Sequence, residues 1–171
     1  MATTRTFNVD FTSWTGKHLQ VTESDAQNTL VYAADLNFRK PQMVFQATGS
    51  ARLPATVTFH TFSRTIDIDI NGYHIPFKPR GSFKYQVPFA SPALGKVLTW
   101  RNPYSMRPWE LECRDEQNTL IARFIPSNSW SCTKAGRLEL GPLESGPSTD
   151  EVVVTGLALA YYLISQTLGS A

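Results

Sequence analysis

The chain has 171 residues, enough for one domain with a substantial buried core. At 42% hydrophobic and 18% charged it has the balance of a globular protein, which excludes bulk disorder. A formal charge of only +2 is too mild to argue for a nucleic-acid binder, where a dense basic stripe is expected.

Met1 to Phe11 alternates polar and apolar residues and holds no apolar run of the secretory kind; Ala2 stands where myristoylation needs glycine. With no Asn-x-Ser/Thr sequon either, the expected location is the cytoplasm, at most peripheral to a membrane. Period-two runs appear at Phe7, Val9 and Phe11, at Leu19 and Val21, and over Leu30–Ala33, Met43–Phe45, Val57–Phe62, Ile66–Ile70 and Tyr73–Phe77. They resume at Phe83, Tyr85, Val87 and Phe89, then over Val97–Trp100, Trp109–Cys113, Leu120–Ile125 and Arg137–Leu140. About twelve short strands separated by Gly, Pro, Asn and Asp, with no linker between them, predict a mostly β chain. The expected form is one domain, a closed antiparallel β-barrel with strands over residues 5–141.

Ile70-Asn71-Gly72-Tyr73 carries the strongest local signal, since a two-residue hairpin turn needs φ > 0 at both central positions and Asn-Gly supplies it. A turn there pairs Ile68 with Ile75 and Ile66 with Phe77 on one face, and Asp69 with His74 on the other. A short repeat also occurs: Asp25-Ala26-Gln27-Asn28-Thr29-Leu30-Val31 returns as Asp115-Glu116-Gln117-Asn118-Thr119-Leu120-Ile121, five identities in seven positions. Asp and Asn both favour turns, so the repeat predicts two equivalent hairpins.

The last segment changes period. Ser148-Thr149-Asp150-Glu151 has the form of a capping box, with Ser148 as cap and Glu151 reaching back, and predicts a helix over 149–168. From Val152 to Leu168 no residue is charged, and Gly169 supplies a stop. A helix apolar on every face is enclosed by protein or inserted in lipid. As a tail anchor its seventeen uncharged residues would span about 26 Å, near the hydrocarbon thickness. Thr155, Gly156, Ser165, Gln166 and Thr167, with no flanking Lys or Arg, oppose that reading, and no transmembrane span is expected.

Twelve strands followed by Asp150-Glu151-Val152-Val153-Val154-Thr155-Gly156-Leu157-Ala158-Leu159 resemble the tubby C-terminal-like superfamily, which includes LURP-one-related proteins and phospholipid scramblases. The segments ending in Leu30-Val31-Tyr32 and Leu120-Ile121-Ala122 look like that family's hairpins. The resemblance covers nearly the whole chain as architecture and implies a barrel enclosing its C-terminal hydrophobic helix. It also implies binding of phosphoinositide headgroups, or association with membranes. The proline-rich N-terminal segment and cysteine-rich stretch of scramblases are absent, so scrambling is not implied, and no headgroup-binding Lys/Arg pair carries over to particular positions.

No nucleotide loop, nucleophile elbow or metal-type cysteine spacing is present, and neither a cofactor nor a metal is expected. His18, His60 and His74 are far apart in sequence. Asp69 and His74, facing each other across the hairpin, are the one derived carboxylate–imidazole pair, either a tuned acid/base histidine or a solvated cross-strand contact. Lys78-Pro79-Arg80-Gly81-Ser82-Phe83-Lys84-Tyr85 is the densest basic and aromatic stretch; Lys78, Arg80 and Lys84 are the candidate residues for an anionic headgroup, against the reading of a solvated loop. Arg101, Arg107, Lys134 and Arg137 form a second cationic set that only folding can assemble. Trp14, Trp100, Trp109 and Trp130 are expected in packing, and Cys113 and Cys132 as reduced thiols.

The function expected from all this is a non-catalytic binding domain for an anionic lipid or a protein partner. The alternative is a hollow barrel binding a small apolar ligand, with isomerase or cyclase activity. The position of the C-terminal helix separates the two, because a filled barrel leaves no interior pocket.

Overall fold

A computed structural model describes residues 4–12, 17–49, 53–79, 86–103, 109–127 and 134–168. The strands are β1 (Arg5–Phe11), β2 (His18–Glu23), β3 (Leu30–Leu36), β4 (Met43–Ala47), β5 (Ala55–His60) and β6 (Thr65–Ile70). They continue with β7 (Tyr73–Phe77), β8 (Gln86–Ser91), β9 (Lys96–Arg101), β10 (Leu111–Asp115), β11 (Leu120–Pro126) and β12 (Lys134–Leu140), and the helix is α1 (Pro147–Leu168).

All twelve strands form one antiparallel sheet in the order β7-β6-β5-β4-β3-β2-β1-β12-β11-β10-β9-β8. The first and last strands pair, and the sheet curls until β7 and β8 lie side by side, with the Phe77 and Phe89 rings 5.1 Å apart across the seam. No β7–β8 ladder is present among the described residues, so the barrel is nearly closed rather than closed.

The hairpin has the expected register. Ile70 pairs with Tyr73, Ile68 with Ile75 and Ile66 with Phe77, around Asn71 at φ 50° and Gly72 at φ 80°. Ile66, Ile68 and Ile70 are buried and Asp69 is exposed, so the apolar phase of both strands selects the inner face. Tyr73, at the hairpin's end, is mostly exposed. The repeat also holds as two like turns. Asp25 and Asp115 each accept backbone N–H bonds from the residues two and four further on, and Asn28 and Asn118 each have positive φ. In both, the residue after the leucine, Val31 or Ile121, bulges out of register, and its carbonyl accepts from Thr48 or Gly141 instead.

Phe62 departs from its expected place in a strand. β5 ends at His60, and Thr61–Arg64 turn the chain with Arg64 at φ 54°, which leaves Phe62 outside the sheet.

α1 fills the barrel. Every residue from Thr149 to Ala160 is buried, so no face of the helix meets solvent. Its first turn lies beside the β8–β9 turn, where Glu151 accepts from Ser91 Oγ and Ala93 N; Asp150 accepts from Tyr32 on β3. Its far end packs Tyr161 and Tyr162 on Phe59 of β5, at centroid distances of 6.0 and 5.6 Å. The helix therefore runs from one end of the barrel to the other. Among the described residues no helix is long and apolar enough to cross a membrane.

The expected capping box does not form. The helix begins earlier, with Pro147 in its first turn after Gly146, and Glu151 is drawn across to β8 rather than back along its own helix. Ser148 and Thr149 hydroxyls both donate to the Glu144 carbonyl. Asp150 and Glu151 still sit at the positive end of the helix dipole, which offsets part of the cost of burying them. Burial nonetheless raises the pKa of Glu151 against the Ser91 and Ala93 hydrogen bonds, with the neighbouring Asp150 charge adding to the rise.

Candidate functional site

Because successive strands run antiparallel, odd-numbered strands all finish at one end of the barrel and even-numbered strands at the other. This sorts the connections by end, and the charges sort with them. After β1, β3, β5 and β7 the described residues include Lys17, Arg39, Lys40, Arg64 and Lys78, all exposed; the acids near this end are the buried Glu110, Asp10 opposite Lys134, and Asp35, which pairs with His18. After β2, β10 and β12 the connections carry Asp25, Glu116 and Glu144; Arg5 and Lys96, which open β1 and β9 at that end, are paired with Glu23 and Asp115, and Arg52 of the β4–β5 connection lies outside the described residues. The cationic end is where α1 finishes, and the acidic end is where it starts.

Lys78, the first residue past β7, is exposed at the cationic end. Arg80 and Lys84, the other two candidate residues, lie outside the described residues, as do Arg107, Cys132, Trp14 and Trp130. Trp100 is fully buried, and Trp109 packs partly buried against the core. Cys113 is a free thiol sealed in the core, and burial drives its pKa far up, so it is no nucleophile.

The Asp69–His74 pair forms as expected on the outer wall, with Nδ1 and Oδ1 2.8 Å apart. It belongs to a longer chain. Asp67 lies 3.6 Å from His74 Nε2 and 2.7 Å from His60 Nε2, and Lys40 Nζ stands 3.2 Å from His60 Nδ1. The Asp69 hydrogen bond raises the pKa of His74, slight burial opposes it, and the Asp69 and Asp67 charges add to the rise. His18 meets Asp35 across β2 and β3 at 2.8 Å. All three histidines are thus cross-strand partners of aspartates, an arrangement that stabilises strand pairing on a wet face.

The second cationic set is split by the fold. Lys134 and Arg137 line an open groove of about 780 Å³ on the wall across β2, β1, β12 and β11, with Asn8, Thr22 and Asn28 as further polar lining and Asp10 opposite Lys134. Arg101 belongs elsewhere, to an ion cluster on β9–β11 that spacing alone did not reveal. There Glu112, with its side chain only 3% exposed, is met by Arg123 at 2.8 Å, Arg114 at 3.0 Å and Arg101 at 3.7 Å. Register builds this cluster: Arg101 and Arg123 flank Glu112 on the two neighbouring strands.

Burial pushes the Glu112 carboxyl up, but the hydrogen bonds from Arg123 and Arg114 and their charges outweigh it, and its pKa is lowered. A carboxyl with a depressed folded-state pKa stabilises the fold above its unfolded pKa and loses that stability as pH falls through the folded value. Glu112→Gln is therefore expected to cost about 2 kcal/mol at neutral pH. It should also flatten the acid limb of stability against pH, below the ordinary glutamate range. Denaturant unfolding across pH checks this; an unchanged acid limb would mean that the arginines do not hold the charged form.

Comparison with protein-family models, curated proteins and solved structures returns no match for the chain. Any functional reading therefore stands on the residues themselves.

Proposed function

We propose that this chain is a non-catalytic, tubby-like binding domain that receives an anionic ligand, a phospholipid headgroup, on the outside of its cationic end. The observation that carries this reading is the sorting of charge by end among the described connections: Lys17, Arg39, Lys40, Arg64 and Lys78 stand exposed on those of one end, and Asp25, Glu116 and Glu144 on those of the other, where the strand-opening Arg5 and Lys96 are paired with carboxylates. An anionic surface attracts the first and repels the second, which orients the molecule as well as binding it. The occupied interior favours a ligand held outside. An isomerase or cyclase acting on an apolar ligand needs the volume that α1 takes up, and three open grooves of the described residues lie on the wall or at the acidic mouth of the barrel.

Co-sedimentation with vesicles, with and without phosphoinositides, tests the reading on the wild type and on a Lys78→Ala/Arg80→Ala/Lys84→Ala variant. The wild type is expected to bind the phosphoinositide vesicles more tightly at low salt, and the variant to bind less with a flatter salt dependence. Equal binding by both proteins, or none by either, counts against a headgroup site in this segment.

A further inference from the structure

We propose that the cationic end docks on an anionic lipid bilayer and that Phe38 and Phe62, at the tips of neighbouring turns, enter its interfacial layer. This rests on the anionic-headgroup reading and adds an apolar contact that a soluble headgroup does not offer. Phe38 is 98% exposed and Phe62 104% exposed. A single exposed apolar residue is ordinary. Here the two most exposed large apolar side chains among the described residues sit on the β3–β4 and β5–β6 turns, at the same end of the barrel. Arg39 and Lys40 follow the first, and Arg64 lies two residues after the second.

The turns are held in place. Asn37 N donates to the Gln42 carbonyl at 2.7 Å, closing the loop that carries Phe38. Gln42 then ties that hairpin to its neighbour: its side-chain oxygen accepts from Phe59 N at 2.9 Å, and its Nε2 donates to the Phe59 carbonyl at 3.4 Å. Lys40 Nζ also reaches His60 Nδ1, just before the Phe62 turn. The two phenylalanines are thus presented from linked hairpins rather than from one continuous apolar face. A protein partner would need a separate pocket for each, whereas a bilayer interface takes any projecting aromatic with cations around it. The opposite end, with Asp25, Glu116 and Glu144, would be repelled, so the barrel should meet the membrane end-on.

The test uses the full chain and phosphatidylcholine vesicles with and without phosphatidylserine. The wild type is expected to bind the anionic vesicles. Phe38→Ser/Phe62→Ser should bind them at least about tenfold more weakly, with unchanged salt dependence. Its melting should match the wild type, since neither ring is buried. Arg39→Gln/Lys40→Gln/Arg64→Gln should weaken binding and flatten the salt dependence. Vesicle binding unaffected by loss of both rings overturns the insertion, as does failure of the wild type to bind anionic vesicles. Equal affinity for soluble polyglutamate would also overturn it and assign the end to an acidic partner. Titration with inositol hexakisphosphate separates the two levels. If it binds in a Lys78-dependent way while the rings are irrelevant to vesicles, the headgroup reading stands and insertion falls. If neither vesicles nor the soluble anion bind, both fall.

Discussion

Replacing Gly156 by alanine is expected to destabilise the protein by about 1–3 kcal/mol, and by valine more, although alanine is the better helix former. On propensity alone the alanine variant would gain about 1 kcal/mol, because a glycine inside a helix carries extra chain entropy into the unfolded state. The opposing effect is steric. A Cβ at Gly156 would lie 2.6 Å from Trp100 Cζ2 and 2.7 Å from Cη2, closer than carbon atoms can pack. The indole cannot easily retreat, because it is fully buried and its Nε1 donates to Thr155 Oγ1 at 2.9 Å. Thr155 and Gly156 together form the seat for Trp100, one satisfying its only polar atom and the other admitting its ring. Urea unfolding followed by tryptophan emission decides the sign. An alanine variant as stable as the wild type would mean that strand β9 shifts freely against the helix, contrary to the close packing described.

The sequence makes some of this plain and hides the rest for physical reasons. The Ile66–Phe77 hairpin is legible because two adjacent strands alternate in phase around a turn that accepts Asn-Gly, so local pattern and pairing agree. The helix is legible because Val152 to Leu168 lacks any charge, and the only soluble home for such a segment is inside a structure with enough strands to surround it. What the sequence conceals are contacts set by register. Glu112 and its three arginines come from three strands. Glu151 looks like part of a capping box but is captured by Ser91 and Ala93, about sixty positions earlier. Of the three histidine–aspartate pairs, the hairpin exposed His74 with Asp69; His18 with Asp35 and His60 with Asp67 required the rest of the pairing. Phe62 reads as a strand residue because it continues the aromatic and β-branched run of Val57–Phe59. The segregation of charge between the two ends was present in the sequence, but it becomes visible only once the alternation of strands assigns each connection to an end.

Removing residues 147–171 is expected to abolish cooperative folding, and Ala158→Arg to cost about 3–5 kcal/mol or more. The helix contributes Val152, Val153, Val154, Leu157, Ala158 and Leu159 to the core, each 3% exposed or less. The inner faces of the strands present Phe7, Phe45, Phe77, Phe124 and Trp100 toward the same space, all essentially inaccessible to solvent. Without the helix these rings would surround a void or collapse on one another, and among the described residues the β7–β8 seam has no ladder to hold the sheet's curvature. The truncation tests whether the barrel has any core of its own, and the arginine tests the enclosure without deleting it. At Ala158, which is 0% exposed, a guanidinium would have to shed its water inside the core. Chemical denaturation and heteronuclear spectra of both variants provide the readout, with Gln166→Arg, at the exposed end of the helix, as a substitution expected to change stability by less than about 0.5 kcal/mol. A truncated chain that stays monomeric and unfolds cooperatively would show that the strands close without the helix. An Ala158→Arg protein of wild-type stability would place that residue at a surface, and with it the helix outside the barrel.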